Sequence, residues 1–206
     1  MKVALCLDGF SAVNNRLMWL FKLKEHFPNF KVSLFTVPND VKADWGKYLE
    51  REEYLKVIRE NLDWLQIIPH GYTHIGEEVR NADYRYFKEV TMTNIKEAFD
   101  RDELPFEKGF KAPHWMWSQG VVKALNEEGW WGAIDPKQPH MEVTDKFFCY
   151  SHALDHPFWT SQQDIQLYGH VYGTSNDLAR CFDNFLNLPE NVEWCYITDF
   201  LENKDD

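Results

Sequence analysis

Basic side chains are in short supply. The chain has 22 Lys and Arg against 33 Asp and Glu, a formal net charge of −11 at pH 7. Neutralising a run of phosphates takes a basic face, so this balance argues against a nucleic-acid partner. It weighs equally against docking on an anionic membrane surface. Long apolar runs are also missing, and nothing approaches the ~20 residues of a membrane-spanning helix. The opening stretch Met1–Asp8 meets an acid too soon to form a signal-peptide core. Cysteine is sparse: Cys6, Cys149, Cys181 and Cys195 form no C-x-x-C pair and show no zinc-ribbon spacing. Cys6 lies in an apolar run and is expected as a buried free thiol. Together these absences point to a cytoplasmic protein with no membrane span. Glycine and proline are scattered, with no linker, repeat or low-complexity tract, so residues 1–206 are expected to form a single domain.

What the chain has in quantity is aromatic side chains: nine Trp, nine Tyr and fifteen Phe. Some of these must fill a core. An excess also suits a groove in which flat rings stack on the apolar faces of a ligand, sugars included. Hydrophobic residues at 44% against 27% charged leave ample material for a core and give no sign of disorder.

Apolar patterning predicts strands alternating with helices. Val3 to Leu7 is a buried strand ending at Asp8-Gly9, and a helix through Leu17–Leu23 stops before Pro28. A strand over 30–37 is followed by a helix over 48–62 and a strand over 65–68 closed by Pro69. Further on, helices are expected over 86–99, 120–128 and 176–186. Strands are expected over 109–112, 131–134, 147–150, 165–168 and 192–198. Alternation of this kind implies βα units and a mainly parallel sheet, open or closed into a distorted barrel of about seven units. In either arrangement ligands bind at the carboxyl ends of the strands.

Several residues able to do chemistry fall at those ends. Asp8 follows the first strand. His70 and His74 follow the third, in Pro69-His70-Gly71-Tyr72-Thr73-His74. Two imidazoles four residues apart can face one point, and a carboxylate from a neighbouring strand end would complete the two-His, one-acid set of a catalytic zinc or related ion. Two surface histidines would produce the same spacing. The segment Lys111-Ala112-Pro113-His114-Trp115-Met116-Trp117 follows another strand. It is either a structural turn with its indoles packed inside or a cleft wall with a cation and a sugar-stacking surface. Asp135, before Pro136, suits turn chemistry or the rim of a site. His170 ends a late strand, where it could donate a proton near pH 7.

In this order the segments resemble the polysaccharide deacetylases, the NodB-homology family 4 carbohydrate esterases. The resemblance runs through VALCLDG, FKVSLFTVP, HGYTH, FKAPHW, GVVKALNEEGWWGAID, LYGH and EWCYITDFLEN, from residue 2 to about residue 202. It is strongest toward the group whose metal motif reads H-G-Y-T-H. It implies a distorted (β/α) barrel and a divalent metal, zinc or else cobalt, nickel or manganese, held by Asp8, His70 and His74. The family's general-acid histidine falls on His170. Lys111 matches a position that is usually arginine and orients the catalytic acid. The resemblance implies an acetylated amino sugar or polysaccharide as substrate, with Tyr72, Pro113, His114, Trp115, Trp117 and Asp135 around it.

One departure stands out. The family's first motif carries two adjacent aspartates, a base and a metal ligand, where this chain has Leu7-Asp8. Keeping Gly9 in register makes Asp8 the metal ligand and sets Leu7 at the base position; the other alignment makes Asp8 the base and leaves two histidines for the metal. On the first alignment Leu7→Asp is expected to restore a base, unless Glu77, Glu78 or Asp135 already takes the proton. Three functions are therefore in competition: a metal-dependent N-deacetylase, a weak or inactive deacetylase-like protein that binds glycan, and a glycosidase with two carboxylates ~5–10 Å apart.

Overall fold

The computed structural model describes residues 1–13, 16–40, 51–134, 142–161 and 163–201. The strands are β1 (Lys2–Phe10), β2 (Val32–Thr36), β3 (Leu65–Pro69), β4 (Gly109–Lys111), β5 (Trp131–Ala133), β6 (Phe147–Phe148), β7 (His152–Ala153), β8 (Ile165–His170) and β9 (Glu193–Cys195). The helices are α1 (Leu17–His26), α2 (Arg51–Arg59), α3 (Glu77–Arg80), α4 (Tyr84–Tyr86), α5 (Met92–Arg101), α6 (Gln119–Glu127), α7 (Phe182–Phe185) and α8 (Ile197–Leu201). A π-helical turn, Phe87–Thr91, joins α4 to α5. None of the described helices is long and apolar enough to cross a membrane.

All strand pairing among these elements is parallel. β1 is the spine of the larger sheet, ordered β3-β2-β1-β8-β7, and β9 also pairs with its first residues. In register, Val3 lies opposite Ile165 and Asp8 opposite His170, so the two strand ends meet. β4, β5 and β6 form a second sheet. Among the described residues no ladder joins the two sheets. The Glu107 N–H donates to the Ile67 carbonyl at 2.9 Å where β3 meets the approach to β4.

Because side chains alternate across a strand, each strand sorts its residues between two layers. Val3, Leu5 and Leu7 of β1, Leu34 of β2, Ile67 of β3 and Phe110 of β4 lie in the large outer core, with the apolar faces of α1, α2, α5 and α6. Ala4, Cys6, Phe35, Ile68, Ala133 and Phe148 form a smaller inner cluster. At one end of that interior Ser33 donates to the Gln66 carbonyl oxygen at 2.6 Å and accepts the Ile197 N–H at 3.0 Å. At the other, carboxyl end come Asp8, Lys111 and His70.

Some local expectations differ from the fold. The helix expected over 176–186 is only α7, because the Asp177 carboxylate accepts from the N–H groups of Gly173 (3.3 Å) and Arg180 (3.0 Å) and holds a turn. The strand expected over 192–198 stops at Cys195. There the Tyr196 N–H donates to Asp199 Oδ2 at 2.8 Å and starts α8. The short α3 and β7 carry too little periodicity to have been foreseen.

Candidate functional site

Asp8 is the last inward-facing residue of β1 before the bulge near Gly9, which has φ +72°. It is 3% exposed. Its Oδ2 forms an ion pair with the ammonium of Lys111, the third and last residue of β4, 103 residues away in sequence. Burial works to raise the Asp8 carboxyl pKa; Lys111, with His70 and His170, outweighs it and holds the group below the usual carboxylate range. Lys111 is itself fully buried. Its Nζ lies 3.7 Å from the Trp115 ring centroid, 5.1 Å from Tyr150, 5.6 Å from Tyr168 and 5.7 Å from Phe35. Four rings thus surround one ammonium, an arrangement that favours the cation once water is excluded.

The 70–74 loop is folded by its own glycine and by Glu78. His70 donates its N–H to the Thr36 carbonyl at 2.9 Å, continuing the β2–β3 ladder. Gly71 has φ +72°, and a Cβ there would strike Glu78 Oε1 and come within 2.6 Å of Pro113 Cγ. Glu78 accepts the N–H groups of Tyr72 and Thr73, each at 3.0 Å, and the Thr73 hydroxyl at 3.0 Å. Glu78 therefore clamps the loop, the other two acids considered as proton acceptors, Asp135 and the Glu77 side chain, lying outside the described residues.

His70 Nδ1 bonds to the main-chain carbonyl of Lys111 at 2.9 Å. A carbonyl only accepts, so Nδ1 carries the hydrogen and Nε2 is left as the lone-pair nitrogen. Burial first, then the nearby His74 and Lys111, lowers the His70 pKa to about 3 against the pull of Asp8, so the ring is neutral at pH 7. The His70 and His74 rings lie 5.0 Å apart, and His74 in turn meets His114 at 4.9 Å. His74, His114 and Trp115 have φ of 63°, 54° and 58°, backbone that non-glycine residues rarely adopt.

His170 ends β8 opposite Asp8, with Nε2 3.9 Å from Asp8 Oδ2. Its Nδ1 bonds to Asn176 Oδ1 at 2.9 Å, and the same oxygen accepts the Thr174 hydroxyl at 2.7 Å. An amide oxygen accepts only, so the hydrogen sits on Nδ1 and Nε2 faces the acid. His170 keeps 28% of its side chain exposed, so it borders solvent at the mouth beside Asp8.

The structure therefore brings Asp8, His70, Lys111 and His170 together, with His74 beside them. It divides the expected substrate wall. Tyr72 and Trp115 are half-buried and His114 is exposed at the mouth. Trp117 does not line the cleft: it is buried against Phe110 and Phe147, each 5.7 Å away. Pro113 is likewise buried, packed under Gly71. Tyr150, Tyr168 and Asn176 are the residues that were not anticipated as functional, and Glu78 was anticipated only as a proton acceptor. Only Tyr168 had a signal, lying two residues before His170 on the same face of β8.

The expected metal set meets a disagreement. Among the described residues no group of three or more His, Cys, Asp or Glu is arranged to hold an ion. One Asp8 oxygen carries the ammonium, and the other, Oδ1, is buried without a hydrogen-bond partner. A divalent ion at Asp8, His70 and His74 would lie beside the buried Lys111 ammonium and would have to share Asp8 with it. In this arrangement the donors do not fit the three-ligand ion. Leu7, set at the base position by sequence register, is fully buried in the outer core, on the other face of β1 from the site.

No profile of a known sequence family and no curated protein matches the chain. Solved structures do. A family 4 carbohydrate esterase from Streptomyces lividans, solved with acetate, is 13% identical with a TM-score of 0.60, over 95% of this chain and 91% of that one. The chitin deacetylase of the fungus Colletotrichum lindemuthianum is 14% identical with a TM-score of 0.61, over 96% and 86%. BA3943 of Bacillus anthracis, described as a family 4 pseudoenzyme, is 13% identical with a TM-score of 0.61, over 97% and 65%. The fold is that of the family 4 carbohydrate esterases and polysaccharide deacetylases.

Proposed function

We propose that this chain binds a carbohydrate, an acetylated amino sugar or a polysaccharide containing one, at the strand-end mouth, without the metal-assisted hydrolysis of the enzymes whose fold it shares. The observation that carries this reading is the Asp8–Lys111 pair. The acid that β1 brings to the mouth is 3% exposed and already paired with an ammonium, which opposes its use as a metal ligand or base. The second aspartate that would serve as base is replaced by a leucine facing the other layer. At the mouth, Tyr72 and Trp115 offer ring faces of the kind that pack on sugars. His74, His114 and His170 offer hydrogen-bonding nitrogens around them.

The test is titration with N-acetylglucosamine oligomers by calorimetry, run beside an acetate-release assay. Saturable binding, weakened about tenfold by Tyr72→Ala, with no acetate released above the protein-free rate, supports the reading. Acetate release that is lost in His170→Ala refutes it.

A metal-dependent N-deacetylase, with Asp8, His70 and His74 as ligands and His170 as proton donor, is the second reading. It is favoured by the partnerless buried Asp8 Oδ1 and by His170 Nε2 facing the same carboxylate.

A further inference from the structure

We infer that Lys111 is a permanent internal cation of this fold: its ammonium supplies beside Asp8 the positive charge that a bound metal would otherwise bring, and it keeps divalent ions out of the Asp8–His70–His74 cluster. The inference deepens the non-hydrolytic reading, but it is measured without any sugar, so the two can fail separately.

Three observations carry it. First, Lys111 holds two of the three would-be ligands by different groups: its ammonium pairs with Asp8 Oδ2, and its main-chain carbonyl takes the His70 Nδ1 hydrogen at 2.9 Å. Second, the ammonium is enclosed by Trp115, Tyr150, Tyr168 and Phe35 at 3.7–5.7 Å to the ring centroids. Swinging it out to admit another ion would forfeit those contacts and expose a fully buried side chain. Third, Asp8 and Lys111 cancel. A divalent ion added there would place two further positive charges beside the buried Lys111 ammonium, where desolvation and like-charge repulsion are costly.

Aromatic packing explains why the cage lies where it does. Trp115 reaches over Lys111 through two successive residues of positive φ, His114 and Trp115. Tyr150 and Tyr168 contact each other at 5.4 Å and Trp115 at 6.3 and 5.9 Å. The rings thus form one packed group around the ammonium.

Equilibrium dialysis against zinc or cobalt, with metal content measured after chelator-buffered washing, tests this. The wild-type chain is expected to retain no ion that depends on His70. Lys111→Met, or Lys111→Gln where an amide is needed to keep Asp8 hydrogen-bonded and the chain folded, is expected to retain one ion. Its dissociation constant should be tighter than that of the wild type by about 100-fold or more, because like charges a few ångströms apart in a poorly solvated site repel strongly. The gained ion should disappear when His70→Ala is added, and cobalt should show the visible bands of nitrogen and oxygen coordination. A stoichiometric ion in the wild-type chain that is lost in His70→Ala overturns the inference. So does a folded Lys111 variant that gains no ion.

Discussion

Leu7→Asp is the substitution that sequence register singles out as a repair, and the structure predicts that it unfolds the protein instead. Leu7 is fully buried in the outer core beside Val3 and Leu5, across β1 from the inward-facing Asp8. Losing a buried leucine side chain costs about 2–5 kcal/mol. Burying a carboxylate without a partner adds several kcal/mol, or forces it to remain protonated. The total is on the order of 5–8 kcal/mol, against ~5–15 kcal/mol for the whole stability of a domain of this kind. Leu7→Ala, which pays only the first of these, is the control. Urea titrations followed by circular dichroism should show Leu7→Ala folded with a lowered midpoint and Leu7→Asp unfolded or nearly so in buffer. A Leu7→Asp protein with a near-wild-type midpoint would refute the two-layer assignment of β1, and acetate release by it would show that position 7 reaches the site after all.

Breaking the Asp8–Lys111 pair by Asp8→Leu or Lys111→Met alone should cost about 3–5 kcal/mol, whereas the double variant should lie within about 1–4 kcal/mol of wild type or above it; urea midpoints of the four proteins give the coupling directly. Stability should fall as pH drops from about 6.5 toward 3. In that window the unfolded chain protonates His70, whose folded pKa is held at about 3, and near its lower end protonation also removes what the depressed Asp8 carboxyl contributes. His70→Gln should flatten the unfolding midpoint between pH 5 and 6.5. Gly71→Ala combines φ +72° with a collision against Glu78 and Pro113, so it should lower the melting temperature by several degrees and shift the His70 and His74 ring resonances, whereas Gly129→Ala, at φ +74° with open space around its Cβ position, should shift neither ring.

Much of this fold was legible because its punctuation is strong. Asp8-Gly9 interrupts β1 at its bulge, one residue before the strand ends at Phe10, and Pro38 and Pro69-His70 close off β2 and β3. The strand-end placement of Asp8, His70, Lys111 and His170 followed directly. Alternation was equally available, and it contradicts the register argument: residues 7 and 8 of one strand cannot both face the interior. The division between Trp115 and Trp117 was not legible. Their opposite fates depend on positive φ at His114 and Trp115, where no glycine advertises the turn. The contact between Lys111 and Asp8, across 103 residues and two sheets, depends on how β4 sits against β1, which no local pattern encodes. The 176–186 segment failed for a local reason, since Asp177 turns its side chain onto the backbone and competes with the helix its apolar spacing suggested.

A buried ion pair contributes little net stability compared with a well-packed apolar pair of similar volume, so its presence at the top of this interior calls for a role other than holding the fold together. The role visible in the contacts is positional. Through one residue, the ends of β1, β3 and β4 are tied: the ammonium fixes Asp8, the carbonyl fixes the His70 ring, and the Trp115 indole lies over the side chain between them. The charges cancel beneath the mouth, leaving half-buried rings and histidine nitrogens as what a ligand meets. A surface of that kind selects for a neutral, ring-shaped, hydroxyl- and amide-bearing ligand. Lys111 is already engaged by Asp8, and the chain's net charge of −11 adds a long-range penalty against a polyanion. On the proposed carbohydrate-binding function, neutral acetylated sugars should therefore bind more tightly than sulfated or uronate-rich ones in the same calorimetric titration.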